Sequence, residues 1–356
     1  MKFIVAQVVP ELCSTKQKFI DTIDKKVANI IKEQGEIDLI IFPEALGLWM
    51  SMMQPTTFFT KFFSRFLHTH QQNSVKMAGW IEDSKSIDNT DEIIAHLQFA
   101  RPEAISNNIN ALGIMNEGLL DVLDAYRIRG LSEPKRSKFA NWLADASDWL
   151  FSKIPLRFIA QYMRSSEMLD VYKEAFSKAA LKYNVYIQAG SLFERVLNGT
   201  KNVAYTFGPN GAVICRQEKW HPIPFEGMLG ILNGSGYQTF MVNGVLCGIA
   251  ICNDLGFPND LVAKLASEGC KFISGPSGGI VPSHMWKFDY KRDVEEYQQA
   301  RANESGVVIG RSYNAGDLYG GLLKFQGLST IVEPGRLVSM VPEEKIRDEY
   351  NLKYNV

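Results

Sequence analysis

The sequence predicts an α/β fold built around a mixed β-sheet. Short runs rich in Val, Ile and Phe recur along the chain, and helical periodicity appears between several of them. Turn residues typical of hairpins join some neighbouring runs, which predicts antiparallel strands beside parallel ones. These turns are Pro209-Asn210-Gly211, Asn243-Gly244 and Pro334-Gly335.

The predicted elements begin with a strand at residues 2–8 and a helix after it. That helix has an apolar face containing Phe19 and Ile23, can be capped by Ser14 or Thr15, and ends at Gly35. Further strands are predicted at residues 38–42, 185–190, 203–207, 212–216, 238–242, 245–251, 271–274, 307–312 and 327–332. Further helices are predicted at residues 167–183, 258–268 and 287–305.

Residues 49–166 differ from the rest of the chain. They carry few strand signals, much helical periodicity and an aromatic stripe around Phe58–Leu67. We predict a helical insertion whose aromatic residues pack against the main domain or a second subunit. A peripheral membrane contact and a cover over an apolar substrate tunnel are the alternatives, and neither is favoured.

Composition excludes several classes of protein. The 356 residues carry a formal net charge of -1, so no nucleic-acid partner is expected. The first ten residues do not resemble a secretory signal, and no apolar run reaches the roughly 18 residues of a membrane-spanning helix. The five cysteines contain no Cys-x-x-Cys pair, which predicts a cytoplasmic protein without a disulfide framework.

Three candidate catalytic residues lie where predicted apolar strands end. Cys252 ends the run Gly248–Ile251, Glu44 follows Leu39–Pro43, and Lys219 follows the strand at 212–216. In α/β proteins this is where chemistry is usually placed. A thiol needs activation to act as a nucleophile at neutral pH, and a carboxylate base and an ammonium group would supply it.

With their flanking residues, these positions resemble the nitrilase superfamily of carbon-nitrogen hydrolases. The resemblance covers about residues 1–48 and 167–341. It rests on Phe42-Pro43-Glu44, Glu218-Lys219-Trp220-His221-Pro222, Ile251-Cys252-Asn253-Asp254 with Phe257-Pro258, Arg301-Ala302-Asn303-Glu304, Gly327-Leu328-Ser329 and Glu333-Pro334-Gly335-Arg336.

The resemblance implies a four-layer αββα sandwich, with residues 1–356 forming a single carbon-nitrogen hydrolase domain that contains the insertion 49–166. It implies Glu44 as general base, Cys252 as nucleophile and Lys219 as stabiliser of the tetrahedral intermediate. Substrate-binding roles follow by resemblance for Glu226, Asn253 and Ser277, where Asn253 contributes its backbone N–H to the oxyanion hole.

The predicted function is that of an amidase-like hydrolase of non-peptide C–N bonds, acting through a thioester on Cys252. Asn253-Asp254 after the cysteine favours an amidase over a nitrilase by resemblance. The predicted substrate is a small amide, with an apolar acyl chain as one option, and no metal or cofactor is required. An acyltransferase, a nitrilase and a catalytically silent interaction protein are the alternatives. A homodimer or higher oligomer is expected from the resemblance.

Histidines elsewhere in the sequence offer two competing sites. A Cys/His pair could use His221 or His284 as base, but no pattern of such a family surrounds Cys252. His68 and His70 have no further ligand at sensible spacing for a metal.

Because the insertion begins directly after Glu44, we expect it to overhang the pocket, with Trp49 and Met50 near the opening.

Overall fold

The computed structural model describes residues 1–13, 15–50, 166–197, 199–223, 226–227, 231–256, 260–281, 292–318, 323–325 and 327–356. Apart from Trp49, Met50 and Ser166, the predicted insertion 49–166 lies outside the described residues. Its helical character and its role therefore stay predictions.

Two six-stranded sheets form the centre of the fold. The strands of the first sheet are β1 Lys2–Gln7, β2 Leu39–Ile41, β3 Tyr186–Val196, β4 Gly199–Phe207, β5 Val213–Glu218 and β15 Tyr350–Asn355. Those of the second are β6 Thr239–Val242, β7 Val245–Ile249, β8 Phe272–Ser277, β10 Val308–Tyr313, β13 Thr330–Glu333 and β14 Arg336–Met340. The first sheet has the order β15-β1-β2-β3-β4-β5 and the second the order β14-β13-β10-β8-β7-β6. A three-stranded sheet is formed by β9 Ile280–Val281, β11 Asp317–Leu318 and β12 Leu323–Phe325.

Four α-helices are described. They are α1 Lys16–Gln34, α2 Ser166–Tyr183, α3 Leu261–Ser267 and α4 Ala300–Ser305, the last continuing a π-helical segment Arg292–Gln299. The side chain of Thr15 caps α1 by accepting from the backbone N–H of Lys18 at 3.1 Å, and Gly35 ends it, as predicted.

Alternation along the strands creates three buried layers of side chains. Phe3 and Val5 of β1 face the second sheet, whereas Ile4 and Ala6 face α1 and α2 on the other side. The outer face of the second sheet packs its Ile273 and other apolar side chains against α3 and α4. The order of layers is therefore helix, sheet, sheet, helix, which is the predicted αββα sandwich.

The three hairpins predicted from turn residues are present. Asn243 and Gly244 have φ angles of 47° and 84° and join the antiparallel pair β6 and β7. The turns at Pro209-Asn210-Gly211 and Pro334-Gly335 likewise join β4 to β5 and β13 to β14. Both central residues of a type I′ turn need positive φ, which is why Asn-Gly is such a specific signal.

Strand direction brings several strand ends to one edge of the first sheet. β2 and β3 are parallel, β4 is antiparallel to β3, and β5 is antiparallel to β4. β5 therefore runs in the same direction as β2, so the residues that follow both strands emerge at the same edge. The start of β4, with Asn202, lies at that edge too.

The placement predicted for Trp49 and Met50 is wrong. Both side chains are buried in the core between α1, α2 and the first sheet, and the Trp49 ring lies edge-on to Phe19 with centroids 6.5 Å apart. Although both residues follow Glu44 closely in the sequence, burial of their large apolar side chains against α1 is favourable and draws them into the core.

Within the ranges that the structure covers, no helix combines the length and apolarity needed to cross a membrane.

Gly190 on β3 holds the segment that carries Glu44, and its replacement is expected to be costly. Its φ is 73°, and a Cβ there would lie 1.9 Å from the carbonyl oxygen of Pro43. Gly190→Ala should lower the free energy of unfolding by about 2–4 kcal/mol, measured by urea denaturation.

Gly35→Ala is the matched control, because Gly35 also has a φ of 73° but nothing lies within 4 Å of its added Cβ. We expect this control to cost about 1 kcal/mol. Equal losses in the two variants would show that backbone conformation alone, and not the approach to Pro43, makes Gly190 necessary.

Candidate active site

Glu44 is buried just beyond β2, and both of its carboxylate oxygens are held by hydrogen bonds. Oε1 accepts from Nζ of Lys219 at 2.7 Å and from Nδ2 of Asn202 at 2.8 Å, and Oε2 accepts from the backbone N–H of Gly278 at 2.8 Å. The next residue, Ala45, has a φ of 63°, which is an unfavourable backbone conformation for any residue other than glycine. The backbone therefore turns sharply at the point where Glu44 enters the site.

Lys219 links two carboxylates. Its Nζ donates to Oε1 of Glu44 at 2.7 Å and to Oε2 of Glu226 at 2.6 Å, and the side chain is only 1% exposed. Burial alone would lower the lysine pKa, but the charges of Glu226 and Glu44 outweigh it and hold the pKa well above its usual value. Lys219 is therefore a fixed cation across the physiological pH range.

Asn202 closes a ring of four buried side chains, which we call the Glu-Lys-Glu-Asn ring: Glu44, Lys219, Glu226 and Asn202. Nδ2 of Asn202 donates to Glu44 and, at 2.7 Å, to Oε1 of Glu226. Glu226 also accepts from the backbone N–H of Ile223 at 2.8 Å. The ring has two negative charges and one positive charge, and hydrogen bonds hold both carboxylates in place.

Asn202 was not among the site residues predicted from the sequence. Asn202 directly precedes the strand predicted at residues 203–207, so its only signal was a polar side chain at the start of that strand. Its partner Glu44 is 158 residues away in the sequence, so local pattern could not identify the contact.

Cys252 lies just beyond β7 in a strained conformation. Its φ is 49°, and it begins a 3₁₀ turn that spans Cys252–Leu255. Burial raises the pKa of the thiol to about 12, and the charge of Glu44 adds to this rise, whereas Lys219 and Arg311 oppose it. The thiol is therefore protonated at neutral pH, and it lies within the electrostatic field of the Glu-Lys-Glu-Asn ring.

Ser277, the last residue of β8, and Gly278, which follows it, both support Glu44. The backbone oxygen of Ser277 accepts from the N–H of Glu44 at 3.4 Å, and its hydroxyl accepts from Nε of Arg311 at 2.9 Å. A Cβ on Gly278 would lie 3.2 Å from Oε2 of Glu44, closer than most Cβ contacts, so a larger residue there would press on the carboxylate. A contact between Ser277 and substrate stays a prediction.

Asn253 and His221 connect the cysteine and lysine segments. Nδ2 of Asn253 donates to the backbone oxygen of His221 at 3.0 Å, and Nε2 of His221 lies 2.8 Å from Oδ1 of Asp260. Because the His221 imidazole is bound to Asp260, the structure does not favour His221 as the base of a Cys/His pair. His284, His68 and His70 lie outside the described residues.

A family model described as carbon-nitrogen hydrolase matches residues 148–346, more than half of the chain. The chain belongs to the carbon-nitrogen hydrolase family. This confirms the resemblance to the nitrilase superfamily and the prediction of a carbon-nitrogen hydrolase. Lys219 and Cys252 lie inside the matched range and Glu44 lies before it, so the contact between Glu44 and Lys219 is information that the structure adds.

Curated relatives in the family include omega-amidases. Omega-amidase NIT2-A of Xenopus laevis is 26% identical over 195 residues, covering 51% of this chain and 67% of the relative. Omega-amidase NIT2 of Mus musculus is 26% identical over 172 residues, covering 45% of this chain and 58% of the relative. The probable hydrolase YhcX of Bacillus subtilis is 34% identical over 114 residues, or 32% of this chain and 22% of its own. The chain thus matches about two thirds or less of the length of these proteins.

Solved structures of the family share the fold. An amidase from Nesterenkonia sp. AN1 superposes with a TM-score of 0.57 at 14% identity, covering 100% of this chain and 93% of its own. Nit3 of Saccharomyces cerevisiae, described as a member of the nitrilase superfamily, gives a TM-score of 0.55 at 14% identity, with coverage of 99% and 89%. These likenesses confirm the predicted sandwich.

Proposed function

We propose that this chain is an amidase-like hydrolase of non-peptide C–N bonds. In this proposal Cys252 is the nucleophile, Glu44 the general base and acid, and Lys219 the stabiliser of the tetrahedral oxyanion. One observation carries the proposal. The buried Glu44 carboxylate is hydrogen-bonded to the Lys219 ammonium group, and the charges of both are close enough to shift the pKa of the Cys252 thiol, which lies just beyond β7 with a strained φ.

The hydrogen bonds indicate which oxygen of Glu44 handles the proton. Oε1 accepts from both Lys219 and Asn202, whereas Oε2 accepts from the backbone N–H of Gly278. A carboxylate oxygen accepts about two hydrogen bonds in its plane. Oε2 therefore retains a lone pair, and we assign proton transfer to it.

Acylation begins with a neutral thiol. Because burial raises the pKa of Cys252 to about 12, deprotonation by Glu44 accompanies attack of the sulfur on the amide carbonyl carbon. The S–C bond forms, and the carbonyl oxygen takes the negative charge. The ammonium of Lys219 and the backbone N–H of Asn253 stabilise that oxyanion.

Collapse of the intermediate breaks the C–N bond, and Glu44 passes the thiol proton to the departing amine. A thioester on Cys252 remains. Water then gives a proton to Glu44 and attacks the thioester, which releases the carboxylic acid, and the proton returns to the sulfur. Hydrogen bonds with Glu226 and Asn202 hold the side chains of Glu44 and Lys219 in place during both steps.

The relatives indicate where the substrate search begins. Because several are omega-amidases, primary amides at the far end of short chains are the first compounds to test, with apolar acyl amides as the second set. The proposal that the insertion 49–166 selects among them, and the expected homodimer or higher oligomer, rest on the sequence.

Ammonia release from such a panel, combined with intact-protein mass spectrometry, tests the proposal. A trapped acyl mass on Cys252 and release of ammonia and acid support hydrolysis. Product formed only when an amine acceptor such as hydroxylamine is added would assign acyl transfer instead. No acylation by any amide, carbamoyl or nitrile compound would contradict the enzymatic proposal.

Glu44→Gln should separate the two effects of this carboxylate. We expect amide hydrolysis to fall about 10²–10⁴-fold, because the general base is lost. The negative charge that raises the thiol pKa is lost as well, so alkylation of Cys252 by iodoacetamide at pH 7–8 should be unchanged or faster. A glutamate-to-glutamine mutant of the Nesterenkonia amidase, in which acrylamide has added to the active-site cysteine, supports this separation.

Glu218→Gln is the matched control, since Glu218 adjoins Lys219 in sequence but pairs with Lys201 and Arg216 instead of the ring. It should retain hydrolysis. Parallel loss of alkylation and hydrolysis in Glu44→Gln would contradict the assigned role of Glu44.

A further inference from the structure

Asp254 is a fully buried carboxylate that the proposed mechanism does not use. Its Oδ2 accepts from the backbone N–H of Ile251 and of Trp220, each at 3.2 Å, and its Oδ1 accepts from the backbone N–H of His221 at 2.8 Å. Trp220 and His221 directly follow Lys219, and Ile251 directly precedes Cys252. The Asp254 side chain therefore joins the backbone that follows Lys219 to the backbone that precedes Cys252.

We propose that Asp254 is a positioning residue whose ionised carboxylate clamps the Lys219 segment to the Cys252 segment. These segments come from different sheets, since Lys219 follows β5 of the first and Cys252 follows β7 of the second. The bond from Asn253 to the backbone oxygen of His221 adds a contact beside the clamp. A carboxylate is suited to this place because it only accepts hydrogen bonds, and all three groups that face it are donors.

The clamp responds to pH. Burial raises the pKa of Asp254 to about 6, while the charge of Lys219 and the hydrogen bonds from His221 and Trp220 oppose the rise. Below that pH one oxygen becomes an O–H donor facing backbone N–H groups, which weakens the clamp. Other charged or titratable neighbours are the His221 ring, bonded to Asp260, and Arg301, whose Nε donates to the oxygen of Gly256 at the end of the same turn.

Asp254→Asn tests the clamp, because the amide keeps the shape but points an N–H₂ group at donors. This inference rests on the proposed function for its kinetic readout. We expect kcat to fall about 10–100-fold with KM within about 2-fold, since a small displacement of reactive groups is costly and Asp254 does not touch substrate. The wild-type protein should show an acidic limb in kcat near pH 6 that the variant lacks.

Asp254→Glu retains the carboxylate and should recover part of kcat and the acidic limb. Asp260→Asn is the control: it perturbs the same His221 through its ring only, and it should keep the wild-type kcat and pH profile. An Asp254→Asn variant with wild-type kcat and an intact acidic limb would overturn the proposal. So would equal losses in Asn and Glu variants with the limb retained.

Hydrogen exchange separates failure of the clamp from failure of the proposed function. Peptides covering residues 219–223 and 250–256 should exchange faster in Asp254→Asn than in the wild type at pH 7, and the wild type should exchange faster below pH 6 than the intrinsic rate change with pH explains. These readouts need no substrate. Unchanged exchange in both peptides would overturn the clamp even if the protein proves to be an active amidase.

Discussion

Cys252→Ala is expected to abolish amide hydrolysis and acylation while leaving the protein folded. Loss of a covalent nucleophile typically removes a factor of about 10⁴–10⁶ from kcat, because the remaining groups act only through it. The measurements are ammonia release and the acyl mass on the intact protein. Cys13→Ala is the control, since the Cys13 thiol is buried in the core beside α1 and lies outside the proposed site.

Cys252→Gly adds a test of backbone strain at the same position. Cys252 has a φ of 49°, which glycine adopts at no steric cost. We expect the glycine variant to be inactive but about 1 kcal/mol more stable than the alanine variant in urea denaturation. Activity in either variant would contradict the role of Cys252, and equal stabilities would show that the strained φ costs little.

Lys219→Met is expected to be both inactive and strongly destabilised. The variant leaves Glu44 and Glu226 buried around Asn202 without a cation, and removing one partner from a buried ion pair typically costs about 3–5 kcal/mol. Two adjacent buried carboxylates take up a proton on folding. The free energy of unfolding of this variant should therefore rise as the pH falls from 7 to 5.

The double variant Lys219→Met/Glu226→Gln is the control for that prediction. It removes one of the two buried negative charges, so it should regain much of the lost stability at pH 7 and still be inactive. Recovery of activity in the double variant would contradict the assignment of Lys219 to the oxyanion. A single variant as stable as the wild type would contradict the balance of charges described for the Glu-Lys-Glu-Asn ring.

Much of the fold was predictable because local chemistry specifies it. Asn243 and Gly244 accept the positive φ angles of a tight turn, and Thr15 and Gly35 bound α1. The alternation of apolar residues on β1 gives it two buried faces, which requires a layer on each side. The prediction for Trp49 failed because sequence position carried the argument and burial decided the outcome.

The candidate site was predictable only in part. Glu44, Lys219 and Cys252 each follow an apolar strand, and this position is readable in the sequence. The roles of Asn202 and Asp254 are not, because an asparagine in a strand and an aspartate in a turn acquire meaning only from their partners. Asn202 lies 158 residues from Glu44 and 24 from Glu226, and Asp254 lies 34 and 33 residues from Trp220 and His221.

Neighbours along the chain specify the strand ends, the turns and the residue types that can perform this chemistry, so these features are readable from the sequence. Which groups meet depends on tertiary packing. Packing places Lys219 between two carboxylates, raises the thiol pKa of Cys252 by burial and joins segments from two sheets through Asp254. These properties depend on burial and on contacts between distant segments, and both exist only when the two sheets are packed.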